Sequence, residues 1–179
     1  MSLLSYNRLV KLANQRVIDV PVENINGASV DITIGEDILI ESERLSVVDL
    51  KSKESLDFRP VKMTDNGFRL YPGQFILATS QETFNLPDNI ACEYKLKSSL
   101  ARCGLQHMLA GWCDPGWNSS KLTLELHNVT KSHILLIKPG MKIGQMVFFE
   151  CEPVPDDQSY AIKGQYNNQE TVTENKGVR

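Results

Sequence analysis

Three groups of residues in the stretch 95–125, KLKSSLARCGLQHMLAGWCDPGWNSSKLTLE, have the types and spacing that chemistry on a charged small molecule requires. Ser98 and Ser99 precede a predicted helical turn, where hydroxyls and free backbone N–H groups favour an anion. Arg102 follows Ser98 at helical spacing, so the two share a face and the guanidinium adds a fork-shaped contact suited to phosphate. Lys97, just before the serines, supplies a point charge rather than a fork. Asp114 opens Asp114-Pro115-Gly116-Trp117, a tight-turn sequence with a carboxylate at its entrance. Glu125 lies on the polar side of an alternating segment, in which Leu122, Leu124 and Leu126 face one way and Thr123, Glu125 and His127 the other. Together these residues point to a site for a phosphorylated small molecule. Each type also has an ordinary use: an N-cap followed by a solvated arginine, a turn opener, a strand carboxylate facing water, a core tryptophan. Residue type and spacing leave those uses open.

The elements that must position these groups are mostly short strands. Residues 3–13 carry apolar side chains near helical period and predict one N-terminal helix, with Ser2 as its cap. From residue 28 the period changes. Val30, Ile32 and Ile34 alternate with polar residues up to Gly35, which predicts a strand and a turn, with a second strand over 37–40. Residues 41–60 are charged and Ser-rich and predict a surface excursion. Asn66-Gly67 between 61–64 and 68–71 predicts a hairpin. Pro72-Gly73 and Pro139-Gly140 predict further turns, and 75–79, 90–94, 105–110, 121–128, 134–137 and 143–149 predict strands. This is the pattern of an all-β sandwich or barrel. Residues 1–152 read as one β domain and 153–179 as a polar, mobile tail.

Composition narrows the function class. The chain has 179 residues, enough for one domain with a sizeable core. A formal net charge of -3 leaves no broad basic surface for nucleic acid, so any phosphate site must be local. No apolar run approaches the roughly 20 residues of a membrane helix, and the N-terminus lacks a signal peptide's apolar core. The expected location is cytoplasmic. Cys92, Cys103, Cys113 and Cys151 form no C-x-x-C pair and are expected as reduced, buried thiols.

Taken in order, KSSLAR (97–102), H-x-x-A-G-W-x-D-P-G-W (107–117), LTLEL-x-N (122–128) and KPGMKIGQ (138–145) resemble the dCTP deaminases of the trimeric dUTPase superfamily. The resemblance is clearest over 94–149, and weaker at SVDITIG (29–35) and KGQYNNQ (163–169). It implies a distorted jelly-roll subunit, a homotrimer with active sites between subunits, and deamination of dCTP at C4 to a deoxyuridine nucleotide. It implies that Glu125 is the general base, taking a proton from a water held by the Ser98 hydroxyl and the Ala110 carbonyl. Lys97, Ser98, Ser99 and Arg102 would meet the triphosphate, with Gln145 nearby. Asp114 would meet the deoxyribose, and Trp117 would pack under it where a 2′-hydroxyl would clash. The tail would close as a lid, bringing Tyr160, Lys163, Tyr166 and Gln169 to the nucleotide. Mg²⁺ is expected on the triphosphate, and dTTP as an inhibitor. Two kinds of dCTP deaminase exist: Ala110-Gly111-Trp112-Cys113-Asp114 resembles the bifunctional kind, which goes on to cleave dUTP to dUMP and pyrophosphate with Asp114 orienting a second water, and the kind that stops at dUTP is the alternative.

Zinc deaminases need H-x-E and P-C-x-x-C. His107, His127 and His133 lack that context, so no zinc is expected at the base. Three positions depart from the family pattern: Leu109 stands where Thr is common, Gln165 where Lys is common, and Asn118-Ser119-Ser120 is one residue longer and lacks a glycine. A plain dUTPase is the competing enzyme, although its Gly-rich C-terminal motif is absent. A non-catalytic dUTPase-fold regulator would be expected to have lost Glu125, Ser98 or Arg102, and all three are present.

Overall fold

The computed structural model describes residues 1–42, 45–52 and 54–177. Eleven strands follow in chain order: β1 (Ser2–Leu3), β2 (Val30–Glu41), β3 (Phe58–Lys62), β4 (Phe68–Leu70), β5 (Phe75–Phe84), β6 (Ile90–Leu96), β7 (Leu105–His107), β8 (Trp112–Cys113), β9 (Ser120–Asn128), β10 (Leu135–Ile137) and β11 (Lys142–Glu150). Helices are short: α1 (Tyr6–Asn14), α2 (Ser98–Ala101) and α3 (Tyr160–Lys163), with single 3-10 turns at Val22–Asn24 and Asp156–Gln158. The all-β expectation holds. One curled, antiparallel nine-stranded sheet runs β7-β9-β5-β2-β11-β6-β8, with β1 on β11 and β3 on β2, and β10 pairs with β4 separately.

Strand β2 joins the two halves of this sheet. Its first residues, Val30 to Thr33, pair with β11, and Ile38 to Ile40 lie between β3 and β5. The 35–37 region is therefore not the predicted turn between two strands. It is a shift of register inside one strand, where the chain changes partners. Gly35 is needed there because a Cβ would stand 2.8 Å from the Thr79 methyl. Because β2 is buried on both faces from Val30 to Gly35, the polar residues there are buried too: Asp31 and Thr33 are 5% and 9% exposed.

The Pro-Gly signals form turns as expected. Gly73, Gly116 and Gly140 all take positive φ, and each turn closes with a backbone bond: Gln74 N–H to Tyr71 O, Trp117 N–H to Asp114 O, and Met141 N–H to Lys138 O. Asn66-Gly67 also turns, with Gly67 at φ +78, but no hairpin results. β3 pairs with β2 while β4 pairs with β10, so the turn redirects the chain between sheets. Helix α1 starts later than predicted. Ser5, not Ser2, is its N-cap residue, and Ser2–Leu3 pairs with β11 instead. Cys92 and Cys113 are buried opposite one another across β6 and β8, whereas Cys103 is exposed, contrary to the expectation that all four thiols are buried.

Segment 153–177 is held to the body rather than free. The Trp117 indole N–H donates to Tyr166 O (2.7 Å), Lys121 N–H to Gln169 O (2.8 Å), and Thr173 N–H to Thr123 Oγ1 (3.2 Å). Ser119 adopts φ +48, the left-handed region a glycine would enter freely. Ser119→Gly is expected to raise stability by about 0.5 kcal/mol, relief of strain outweighing the added freedom of the unfolded chain. A urea midpoint shifted upward at unchanged m-value checks this; a downward shift would show that Ser119 is not strained.

Candidate active site

Alternation along β9 gives Glu125 its place. Leu122, Leu124 and Leu126 enter the core, which turns Thr123, Glu125 and His127 to the other face, each partly exposed. Glu125 opens into a cleft of about 570 Å³. Ala110, Trp117, Tyr160, Tyr166 and Gln169, all named from the sequence, line the same cleft. Trp117 is mainly a core residue at 4% exposure: it stacks on Phe84 with centroids 5.1 Å apart and is among the residues lining the cleft. Gln169 is 7% exposed, and its side-chain oxygen is buried without a hydrogen-bond partner among the described residues.

A second hollow of about 390 Å³ lies beside the cleft and shares Tyr160 and Tyr166 with it. Asp114 and Lys163 line it. The Asp114 carboxylate accepts from the Trp112 indole N–H at 2.9 Å, which fixes its direction. Burial pushes the Tyr160 phenol up, with nearby Cys113 and Asp114 adding to the effect.

The anion-cradle residues are not brought into the Glu125 cleft. Ser98, Ser99 and Arg102 are exposed on and just after α2 and line neither hollow. The serines fall inside the turn rather than before it, and Lys97 is its N-cap residue. The Lys97 ammonium donates to Asp31 Oδ1 at 2.6 Å, and Gln145 Oε1 accepts from the Ser29 hydroxyl at 3.0 Å. A single chain therefore carries two clusters: a carboxylate in an apolar cleft, and a cationic, hydroxyl-bearing group around α2.

Sequence reading missed several contributors. The 41–60 excursion, of which 43, 44 and 53 lie outside the described residues, is not merely surface. Val48, Leu50 and Leu56 wall the cleft, as do Phe58, Phe75 and Leu77. The Asn175 amide donates to Glu54 O at 2.8 Å, joining tail and excursion, and both residues line the cleft. His107 Nε2 stands 3.3 Å from Glu125 Oε2, and its ring meets Tyr94 edge-on at 4.6 Å. Burial first, then the Glu125 and Glu82 charges, push the Tyr94 phenol far above its usual range, so it stays protonated. Gly144 makes room for that ring, since a Cβ there would lie 2.2 Å from it.

Glu82 is 5% exposed, and it accepts from Thr33 N–H at 3.0 Å and Thr33 O–H at 2.6 Å. Burial raises its pKa above the ordinary 4.5, and the Thr33 bonds only partly offset this. A carboxyl whose folded pKa is raised favours the fold below its unfolded value, and that contribution is lost as pH climbs through the folded value. Glu82→Gln, which keeps an acceptor for Thr33 without the charge, is therefore expected to lose less stability than wild type as pH rises above 4.5. Thermal midpoints across that range check this; parallel profiles would contradict it.

The fold and the paired clusters define a class. A family model described as dCTP deaminase-like matches residues 3–151, and the chain belongs to that family. The relatives it is similar to are named more narrowly. It is 38% identical over 150 residues to a protein of Persephonella marina named dCTP deaminase, dUMP-forming, covering 83% of this chain and 81% of that one. A protein of the same name from Coprothermobacter proteolyticus is 35% identical over 174 residues, covering 94% and 87%. Among solved structures, 2′-deoxycytidine 5′-triphosphate deaminase from Agrobacterium tumefaciens superposes with a TM-score of 0.65 at 18% identity. That match covers 82% of this chain and 47% of the other, so this chain spans about half of it. Among the described residues no helix is long and apolar enough to cross a membrane.

Proposed function

We propose that the protein deaminates dCTP at C4, with Glu125 as general base, and carries the product on to dUMP. The observation that supports this most is the partly exposed Glu125 carboxylate, set in an apolar cleft with Ala110, Trp117 and the unpartnered Gln169 oxygen. Glu125 takes a proton from a water as its oxygen adds to C4. It returns that proton to the ring nitrogen, and ammonia leaves after a second transfer. Trp117, Tyr166 and the apolar walls exclude bulk water. The names of the relatives favour dUMP as the product, and Asp114, held by Trp112, is the carboxylate to orient the second water toward the α-phosphate.

The two clusters support an oligomer, in which α2 of one copy faces the Glu125 cleft of the next. The homotrimer is the arrangement the superfamily resemblance implies. Lys97, Ser98, Ser99, Arg102 and Gln145 would then receive the triphosphate, and Tyr160, Lys163 and Tyr166 would close beside it. Among the described residues no group of three His, Cys, Asp or Glu is placed to hold a metal. A Mg²⁺ carried on phosphate oxygens and water needs no such cage, and when bound it neutralises charge developing on the phosphates. The reaction at the base uses no zinc in this reading.

The purified protein with Mg²⁺ is expected to release ammonia from dCTP and not from CTP, because Trp117 would crowd a 2′-hydroxyl. Equal rates on the two nucleotides would remove Trp117 from the sugar site.

A further inference from the structure

Asp31 is 5% exposed, in the half of β2 that is covered on both faces. A carboxylate so placed is costly unless paired and hydrogen-bonded. Both oxygens are filled: Lys97 Nζ (2.6 Å) and Asn26 Nδ2 (3.0 Å) donate to Oδ1, and Lys142 Nζ stands 3.0 Å from Oδ2. Burial alone would raise the Asp31 pKa, and these three donors outweigh it, so the group is held below the ordinary 3.8.

The number and placement of the donors exceed what a structural pair requires. One cation would neutralise Asp31, whereas two ammonium groups leave a positive charge over. Lys97 is the N-cap residue of α2, directly before Ser98 and Ser99. Lys142 opens β11, and Gln145 on that strand stands opposite Asp31 in register. Asp31 thus ties together both strand and turn components of the cationic cluster. The Lys97 side chain remains 30% exposed and that of Lys142 44%. An ammonium has three donors, so Lys97 keeps others for phosphate while Asp31 holds it in place. A lysine fixed in advance loses less rotamer freedom when an anion arrives.

We propose that Asp31 is a positioning residue for the polyphosphate chain of the substrate, acting through Lys97. This rests on the deaminase reading and deepens it. The opposing effect is plain: removing a carboxylate also removes a negative charge near the anion. That repulsion acts from behind the lysines and is screened by them and by salt, so position outweighs charge.

The test is calorimetric binding of inorganic tripolyphosphate and of deoxycytidine to the intact protein. Asp31→Asn is expected to weaken tripolyphosphate about tenfold and leave deoxycytidine unchanged. In a Lys97→Met background the same substitution is expected to add nothing, since it acts through that ammonium. Tripolyphosphate binding that is unchanged or tighter, equal weakening of both ligands, or a full effect in the Lys97→Met background each overturns the proposal. If Asp31→Asn does not fold, Lys97→Met alone decides: selective loss of tripolyphosphate supports the proposal and no loss overturns it. A wild-type protein that binds neither ligand and releases no ammonia from dCTP overturns the deaminase reading as well. Wild-type activity with unaffected variants overturns only this inference.

Discussion

Glu125→Gln is expected to yield a folded protein that deaminates dCTP about 10²–10⁴-fold more slowly than wild type. The fold survives because the side chain belongs to the half-exposed face of β9, while Leu122, Leu124 and Leu126 hold the strand in the core. The amide keeps the shape of the carboxylate and a polar atom near His107 Nε2, which lies 3.3 Å from the native oxygen. What it cannot do is accept the proton of the attacking water. Steady-state ammonia release, with a thermal melt to confirm folding, measures the effect. A variant retaining more than about a tenth of the wild-type rate would remove Glu125 from the role of base.

The second large effect concerns where the site is assembled. In one chain Arg102 is exposed and lines neither hollow, while Glu125 lies inside the larger one. If α2 of one copy completes the cleft of another, Arg102→Ala and Glu125→Gln chains are each expected to be inactive alone and to restore one another. In a randomly mixed closed ring about a quarter of the sites pair an intact Glu125 with an intact Arg102, so about a quarter of wild-type activity should return. Unfolding and refolding the two variants together, then assaying dCTP turnover, measures this. A mixture as inactive as its components, at the same oligomeric size as wild type, would place both residues in one chain's site.

Much of this architecture was legible because it is written locally. The alternation of β9 is a period of two, and it fixed both the strand and the face that Glu125 occupies. The turns at Gly73, Gly116 and Gly140 follow from Pro presetting φ and Gly tolerating a positive one. What stayed hidden depends on partners distant in sequence. Asp31 stands in VDITI as if on an outward, polar position of a half-buried strand. It is buried because β2 is covered on both sides, and its lysines come from elsewhere in the chain. Gly35 looked like a turn because the register shift within β2 comes from a change of partner strands. Asn66-Gly67 does turn the chain, and only the pairing of β3 and β4 with other strands shows that no hairpin forms. Val48 and Leu50 were hidden among charged residues, and their place on the cleft wall depends on how the excursion folds back. His107 opens the H-x-x-A-G-W stretch, but nothing in its spacing ties it to Glu125; β7 lying beside β9 brings the two together.

The most direct measurement is a time course of the purified protein with dCTP and Mg²⁺, resolving nucleotides by anion exchange while ammonia and pyrophosphate are followed in parallel. Equal release of ammonia and pyrophosphate is expected, with dUMP appearing and no dUTP accumulating. Persistence of dCTP without ammonia would contradict the deaminase assignment, and accumulation of dUTP without pyrophosphate would contradict dUMP formation in the same site.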